Sequence, residues 1–249
     1  MAIAFSRRHP PIPGYEPQRQ LGENGAIVYV AWSSCAGKQV ALQVWDRSFS
    51  ARQPDSTFVG LEHPNILCVL EVGEVDGYAY VAHEYLEEAE SLGVRLRRGP
   101  LEETEARNLA MIVAVVLQFL RAKGVAVAQV TPGDMLLGKT PKVVLRSPDA
   151  QYARPDFIAP EERYGQQDDV TAAIDVYRVG AFLYAMLSAR SPVSSHSAQT
   201  GVPERLPLRQ VNHAVSTKLE KVCMKCLEEA PIDRYGSLAE LIEAIDDSK

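Results

Sequence analysis

The sequence predicts an α+β protein in which a small sheet comes first and a larger helical part follows. Three observations predict it. Residues 39–45 alternate, with Val40, Leu42 and Val44 on one face and Ala41, Gln43 and Trp45 on the other. Two more strand-like runs, at 66–72 and 78–83, flank Asp76-Gly77, a pair that suits a tight hairpin. After Glu87 the apolar spacing lengthens to that of helices.

Taken in order, residues 1–13 carry Pro10, Pro11 and Pro13 and read as a flexible arm. Residues 14–86 form the strand region and 87–249 the helical region, one domain overall across 14–249. Glu102, Glu103 and Glu105 favour the N-terminus of a helix whose apolar face holds Leu109, Ile112, Val113, Val116 and Leu120. Residues 174–187 are apolar almost all round and predict a buried helix. Thr217 with Glu220, and Ser237 with Glu240, have the spacing of capping boxes that open two further helices. Cys223 and Cys226 share a helical stripe with Leu219, Val222 and Leu227, so they read as buried thiols rather than a zinc or redox pair.

Composition excludes several classes. A chain of 249 residues buries a core without disulfides or metal staples. Its 46% apolar and 23% charged residues exclude disordered and fibrous proteins. The net charge of −6, with no basic run, argues against nucleic acid as a partner. The longest apolar run, 109–117, is too short to span a bilayer, and the N-terminus has no apolar signal core. A cytoplasmic protein that does not contact membranes is expected.

A series of residues then resembles one family. Leu21-Gly22 followed by Val28-Tyr29-Val30-Ala31 is similar to a strand, glycine loop and strand. Val40-Ala41-Leu42-Gln43 stands at a V-A-I-K place, and His63-Pro64-Asn65-Ile66 precedes a fourth strand. Glu84-Tyr85-Leu86 resembles a hinge, with His83 at the gatekeeper place. Thr131-Pro132-Gly133-Asp134-Met135-Leu136-Leu137 resembles a catalytic loop, and Ala159-Pro160-Glu161 is an intact A-P-E. Asp175-Val176-Tyr177 with Gly180, and Cys226-Leu227 with Pro231 and Arg234-Tyr235, complete the order. From about residue 15 to residue 247 the chain resembles the catalytic domain of bacterial-type Ser/Thr protein kinases. The resemblance implies a two-lobed fold with an antiparallel-sheet N-lobe and a helical C-lobe. Only nineteen residues separate Gln43 from His63, so a truncated helix is expected there.

The positions that carry the family's chemistry depart from its pattern. Gln43 replaces the phosphate-binding lysine. Gln129 stands at the H-R-D aspartate and Leu145 at the D-F-G aspartate. Arg146 replaces the D-F-G phenylalanine and is expected to break the hydrophobic spine or turn outward. Asp134 replaces the loop asparagine and is a possible residual metal ligand. A lysine–phosphate contact at about 4 Å is worth roughly 1–4 kcal/mol, and a positioned base about 10²- to 10⁴-fold. The structural positions persist: the resemblance implies that Glu161 pairs with Arg234 and that Asp175 caps the catalytic loop. Leu21, Ala41, His83, Glu84, Leu86 and Leu136 would line a vestigial nucleotide cleft.

The resulting expectation is a pseudokinase, not an enzyme, with no catalytic residues, no metal and no cofactor. It would act as a scaffolding or allosteric module for another protein, such as an active kinase or a kinase substrate. Two alternatives accompany it: a sensor that binds ATP weakly and without metal, and a weak or atypical Ser/Thr protein kinase.

Overall fold

Alternation dictates the first sheet. In the computed structural model β1 (Tyr15–Glu23), β2 (Ile27–Ser33), β3 (Lys38–Asp46), β4 (Val69–Val75) and β5 (Tyr78–Glu84) form an antiparallel sheet of order β1-β2-β3-β5-β4. The residues described are 11–23, 26–48, 55–127, 129–146, 154–163, 172–192 and 206–248. They fall into two units, those up to 88 and those from 89 on. Val40, Leu42 and Val44 are buried in one core with Ile12, Tyr15, Ala31, Tyr80 and Ala82. Trp45 is buried on the opposite face with Ala26 and Ala79. Ile12 thus belongs to the core although it lies in the stretch expected as an arm; residues 1–10 lie outside the described residues.

The β4–β5 hairpin turns at Asp76 (φ 47°) and Gly77 (φ 80°), and two positive φ values suit the twist of a two-residue turn. Glu71 receives the hydroxyls of Tyr15 at 2.6 Å and Tyr80 at 2.7 Å. Burial, then the Glu71 carboxylate, pushes the Tyr80 phenol up to about 12 and the Tyr15 phenol higher. Gly73 leaves room for this arrangement, since a Cβ there would lie 2.5 Å from the Tyr80 hydroxyl. Between β3 and β4 the described residues hold a single 3₁₀ turn, Ser56–Phe58, and no α-helix.

The second unit is helical. Short strands β6 (Glu90–Ser91), β7 (Met135–Leu137) and β8 (Lys142–Val143) form a small antiparallel sheet. Helices α1 (Leu92–Arg95), α2 (Glu103–Ala122), α3 (Pro160–Arg163), α4 (Ala172–Ser188), α5 (Leu208–Val211), α6 (Thr217–Cys226) and α7 (Leu238–Asp246) complete it. On α2, Leu109, Val113, Val116 and Leu120 are buried, whereas Ile112 is only half-buried. Every residue from Ile174 to Ser188 of α4 is buried, as its all-round apolar sequence requires. Among the described residues no helix is long and apolar enough to cross a membrane.

One cap departs from expectation. The N-cap of α6 is Ser216, whose hydroxyl accepts from the Leu219 N–H at 3.3 Å, so Thr217 is already the first helical residue. Glu220 accepts from the Arg209 N–H at 2.7 Å instead of closing a capping box. Ser237 caps α7 by accepting from the Glu240 N–H at 3.1 Å.

Candidate functional site

The catalytic-loop turn is built by its own sequence. Thr131 opens a 3₁₀ turn over Pro132–Asp134, with Pro132 supplying a preset φ where no N–H is needed. The Thr131 N–H (3.0 Å) and hydroxyl (2.6 Å) both donate to Asp134 Oδ2, and the Asp134 N–H returns to the Thr131 carbonyl at 2.9 Å. The Asp134 carbonyl accepts from the Val144 N–H at 2.7 Å, which ties the turn to the end of β8. Asp134 is therefore buried and fixed.

Its other oxygen, Oδ1, is ion-paired with Nε of Arg146. The expectation that Arg146 breaks the spine or points away gives way to this contact: its guanidinium lies on the catalytic-loop carboxylate. The Arg146 side chain keeps 36% of its surface exposed against 5% for Asp134. Leu145, at the D-F-G aspartate place, is buried. The Gln129 amide faces the backbone of Arg154: in the amide orientation that satisfies both groups, its nitrogen donates to the Arg154 carbonyl at 3.2 Å and its oxygen accepts from the Arg154 N–H. Residues 147–153, within the segment between Leu145 and Glu161, lie outside the described residues.

A divalent cation needs several hard oxygen ligands with free lone pairs. Asp134 is the sole carboxylate at the family's metal positions, and both its oxygens are engaged by Thr131 and Arg146. Among the described residues no group of three His, Cys, Asp or Glu side chains is placed to hold a metal ion. The donor set does not fit a divalent metal.

The remaining expected residues divide between the two units. In the first, Gln43 lies opposite Val28 and Val81, and Ala41 lies opposite Val30 and His83. His83 is buried, Leu21 is exposed, and Ala41, Gln43 and Leu86 are half-buried. Glu84 turns its carboxylate onto the Cys68 N–H at 3.0 Å. Leu136 belongs to the second unit, half-buried in β7.

The structural positions form two ionic assemblies within the second unit. Arg234, with no exposed side-chain surface, binds Glu161 through both terminal nitrogens at 2.6 and 2.8 Å. It also donates to the carbonyls of Glu228, Glu229 and Ala173 and lies over the Tyr177 ring at 4.9 Å. Burial alone would raise the Glu161 carboxyl, but the hydrogen bonds and charge of Arg234 hold it below its ordinary value. Asp175 was expected to cap the catalytic loop; its partners among the described residues are Arg121, at 2.6 Å, and Arg178, at 3.3 Å. Arg178 continues to Glu162 at 2.7 Å, and Glu162 accepts from the Ala159 N–H at 3.1 Å. The sequence analysis missed Arg121, Glu162 and Arg178. A signal existed: Asp175 and Arg178 sit in an otherwise apolar buried helix, and buried charges require partners.

An antiparallel-sheet unit and a helical unit carrying an A-P-E segment, a catalytic-loop turn and the Glu161–Arg234 pair define a protein-kinase-like fold. The protein kinase domain model matches residues 15–244, and the chain belongs to that family. It is 25% identical to the serine/threonine-protein kinase PknB of Mycobacterium leprae over 91% of this chain and 42% of that protein. It is 22% identical to the serine/threonine-protein kinase PrkC of Bacillus subtilis over 92% of this chain and 39% of that protein. The chain thus spans about two fifths of the length of these relatives. A crystal structure of a double mutant of the PknI kinase domain of Mycobacterium tuberculosis superposes with a TM-score of 0.80 at 24% identity, covering 100% of this chain and 99% of that one. The expectation of a non-enzyme is corrected here. The family match and the relatives named as Ser/Thr protein kinases point to an enzyme.

Proposed function

We propose that the chain is a slow, atypical Ser/Thr protein kinase. It transfers the γ-phosphoryl group of a nucleoside triphosphate to a Ser or Thr hydroxyl of a partner protein, in a cytoplasmic setting. The observation that carries this reading is the family match across 15–244. The catalytic-loop turn closed by Asp134 and the Glu161–Arg234 pair support it in that they keep the family's framework at these positions.

In the transfer the substrate hydroxyl oxygen forms the new P–O bond. The bond from the γ-phosphorus to the β–γ bridging oxygen breaks, and the nucleoside diphosphate leaves with that electron pair. Gln129 is an amide spent on the Arg154 backbone, so it accepts no proton. The hydroxyl proton passes to a phosphoryl oxygen or to water. Without a positioned base the rate falls about 10²- to 10⁴-fold below that of a kinase that has one.

The test is transfer of γ-labelled phosphate from ATP to a hydroxyl-rich protein and to the chain itself. Slow incorporation on Ser or Thr is expected, lost in Asp134→Ala while circular dichroism shows the fold retained. Incorporation no greater than in an enzyme-free control, or unchanged in Asp134→Ala, overturns the reading.

A further inference from the structure

The Asp134–Arg146 contact has the form of a site that carries its own cation. Asp134 is buried, and its Oδ2 is saturated by the Thr131 N–H and hydroxyl. Its Oδ1 holds Arg146 by Nε alone. A guanidinium has five N–H donors, and among the described residues the two terminal nitrogens of Arg146 have no acceptor. The guanidinium is thus anchored at one edge on a buried, hydrogen-bonded carboxylate, with more than a third of the side chain open to solvent. That geometry suits an anionic oxygen, because an arginine fork binds phosphate through paired charge-assisted hydrogen bonds. A divalent ion at the same carboxylate would have to displace Arg146 or sit beside its positive charge.

We propose that Arg146 is the resident cation of the catalytic-loop turn. The turn binds the phosphate oxygens of a nucleoside polyphosphate without a divalent metal. The choice of a nucleoside polyphosphate rests on the proposed kinase reading; the independence from metal rests on the Asp134–Arg146 pair itself. An arginine fixed beside the transferring group supplies positive charge of the kind a metal gives elsewhere, already oriented before the ligand arrives.

Thermal shift and calorimetric titration of the full chain with ATP, in EDTA and then in magnesium, test this. The same stabilisation is expected in both buffers. Arg146→Gln removes a charge-assisted contact and should weaken ATP about ten- to a hundredfold. Arg146→Lys should restore part of that loss in EDTA. The melting temperature of each free variant reports whether it folds, and the lysine variant decides the matter if the glutamine variant does not fold. Stabilisation that requires magnesium, ATP affinity unchanged by either substitution, or no stabilisation in either buffer overturns the proposal. Phosphate incorporation on the same samples separates it from the kinase reading. Binding and transfer that both need magnesium defeat the resident cation and leave the kinase. Binding in EDTA with no transfer in any buffer does the reverse.

Discussion

Arg234 has five N–H donors, and the structure uses all five, on two Glu161 oxygens and the carbonyls of Ala173, Glu228 and Glu229. Such a group is stable when buried only because nothing is left unpaired. Removing one member leaves a buried charge or orphaned acceptors, so Arg234→Met should cost about 3–5 kcal/mol. Arg234→Lys should also destabilise, because an ammonium cannot reproduce the planar fork. Urea unfolding of the purified variants measures both. The pair also sets a pH dependence. Glu161 sits below its ordinary value of 4.5 in the folded chain. Its contribution is therefore present above that value and lost as the pH falls through the lower folded value. Glu161→Gln should remove this acid-side loss, visible as a shallower fall of the urea midpoint below about pH 4.5. The pair was legible through the family resemblance alone, which places Glu161 in the A-P-E segment and Arg234 near the close of the domain as partners. Arg146 was not, because its contact with Asp134 depends on how the β7–β8 hairpin returns the chain, which residue types alone do not specify.

At the scale of elements, α4 and α6 meet at a point that tolerates no side chain. A Cβ on Gly180 would lie 2.3 Å from the Cβ of Cys226, far inside van der Waals contact. The Cys223 thiol donates to the Gly180 carbonyl at 3.6 Å across the same approach. Gly180→Ala must push the helices apart or shift α6, and inserting a methyl into such packing costs about 1–3 kcal/mol. Alanine would otherwise favour the helix by about 1 kcal/mol, so net destabilisation in a denaturant titration identifies close approach as the cause. Stabilisation by this substitution would refute the stated contact. The sequence revealed α2 and α4 through the period of their apolar residues. It placed the start of α6 one residue late, because Thr217 and Glu220 have capping-box spacing while Ser216 makes the bond. The cap is decided by backbone geometry, and two adjacent hydroxyl residues are equivalent until that geometry is known.

At the scale of the whole molecule, the α+β class was readable because hydrophobic period and turn chemistry agree along the chain, and the two-lobed fold because ordered motifs resemble one family, whereas activity was not. Gln43, Gln129 and Leu145 argued for an inert protein, while family membership across 15–244 points to an enzyme. Absent side chains identify what chemistry is missing, but they do not disclose what a rearranged residue such as Arg146 supplies. The integrity of the fold itself can be followed through its four thiols. Cys35 is exposed and Cys68 half-buried, whereas Cys223 and Cys226 have no exposed surface. Burial, with Cys223 adding to it, pushes the Cys226 thiol well above its ordinary value, so little reactive thiolate forms there. Brief alkylation of the native chain should therefore label Cys35 first and leave Cys223 and Cys226 unmodified. Their labelling should begin only at the urea concentration where circular dichroism reports unfolding, since the α4–α6 packing must open before either sulfur meets reagent. Mass spectrometry of the peptides checks this. Fast modification of Cys226 in the native state would mean that α6 opens locally, and the Gly180 contact could not then be a fixed part of the core.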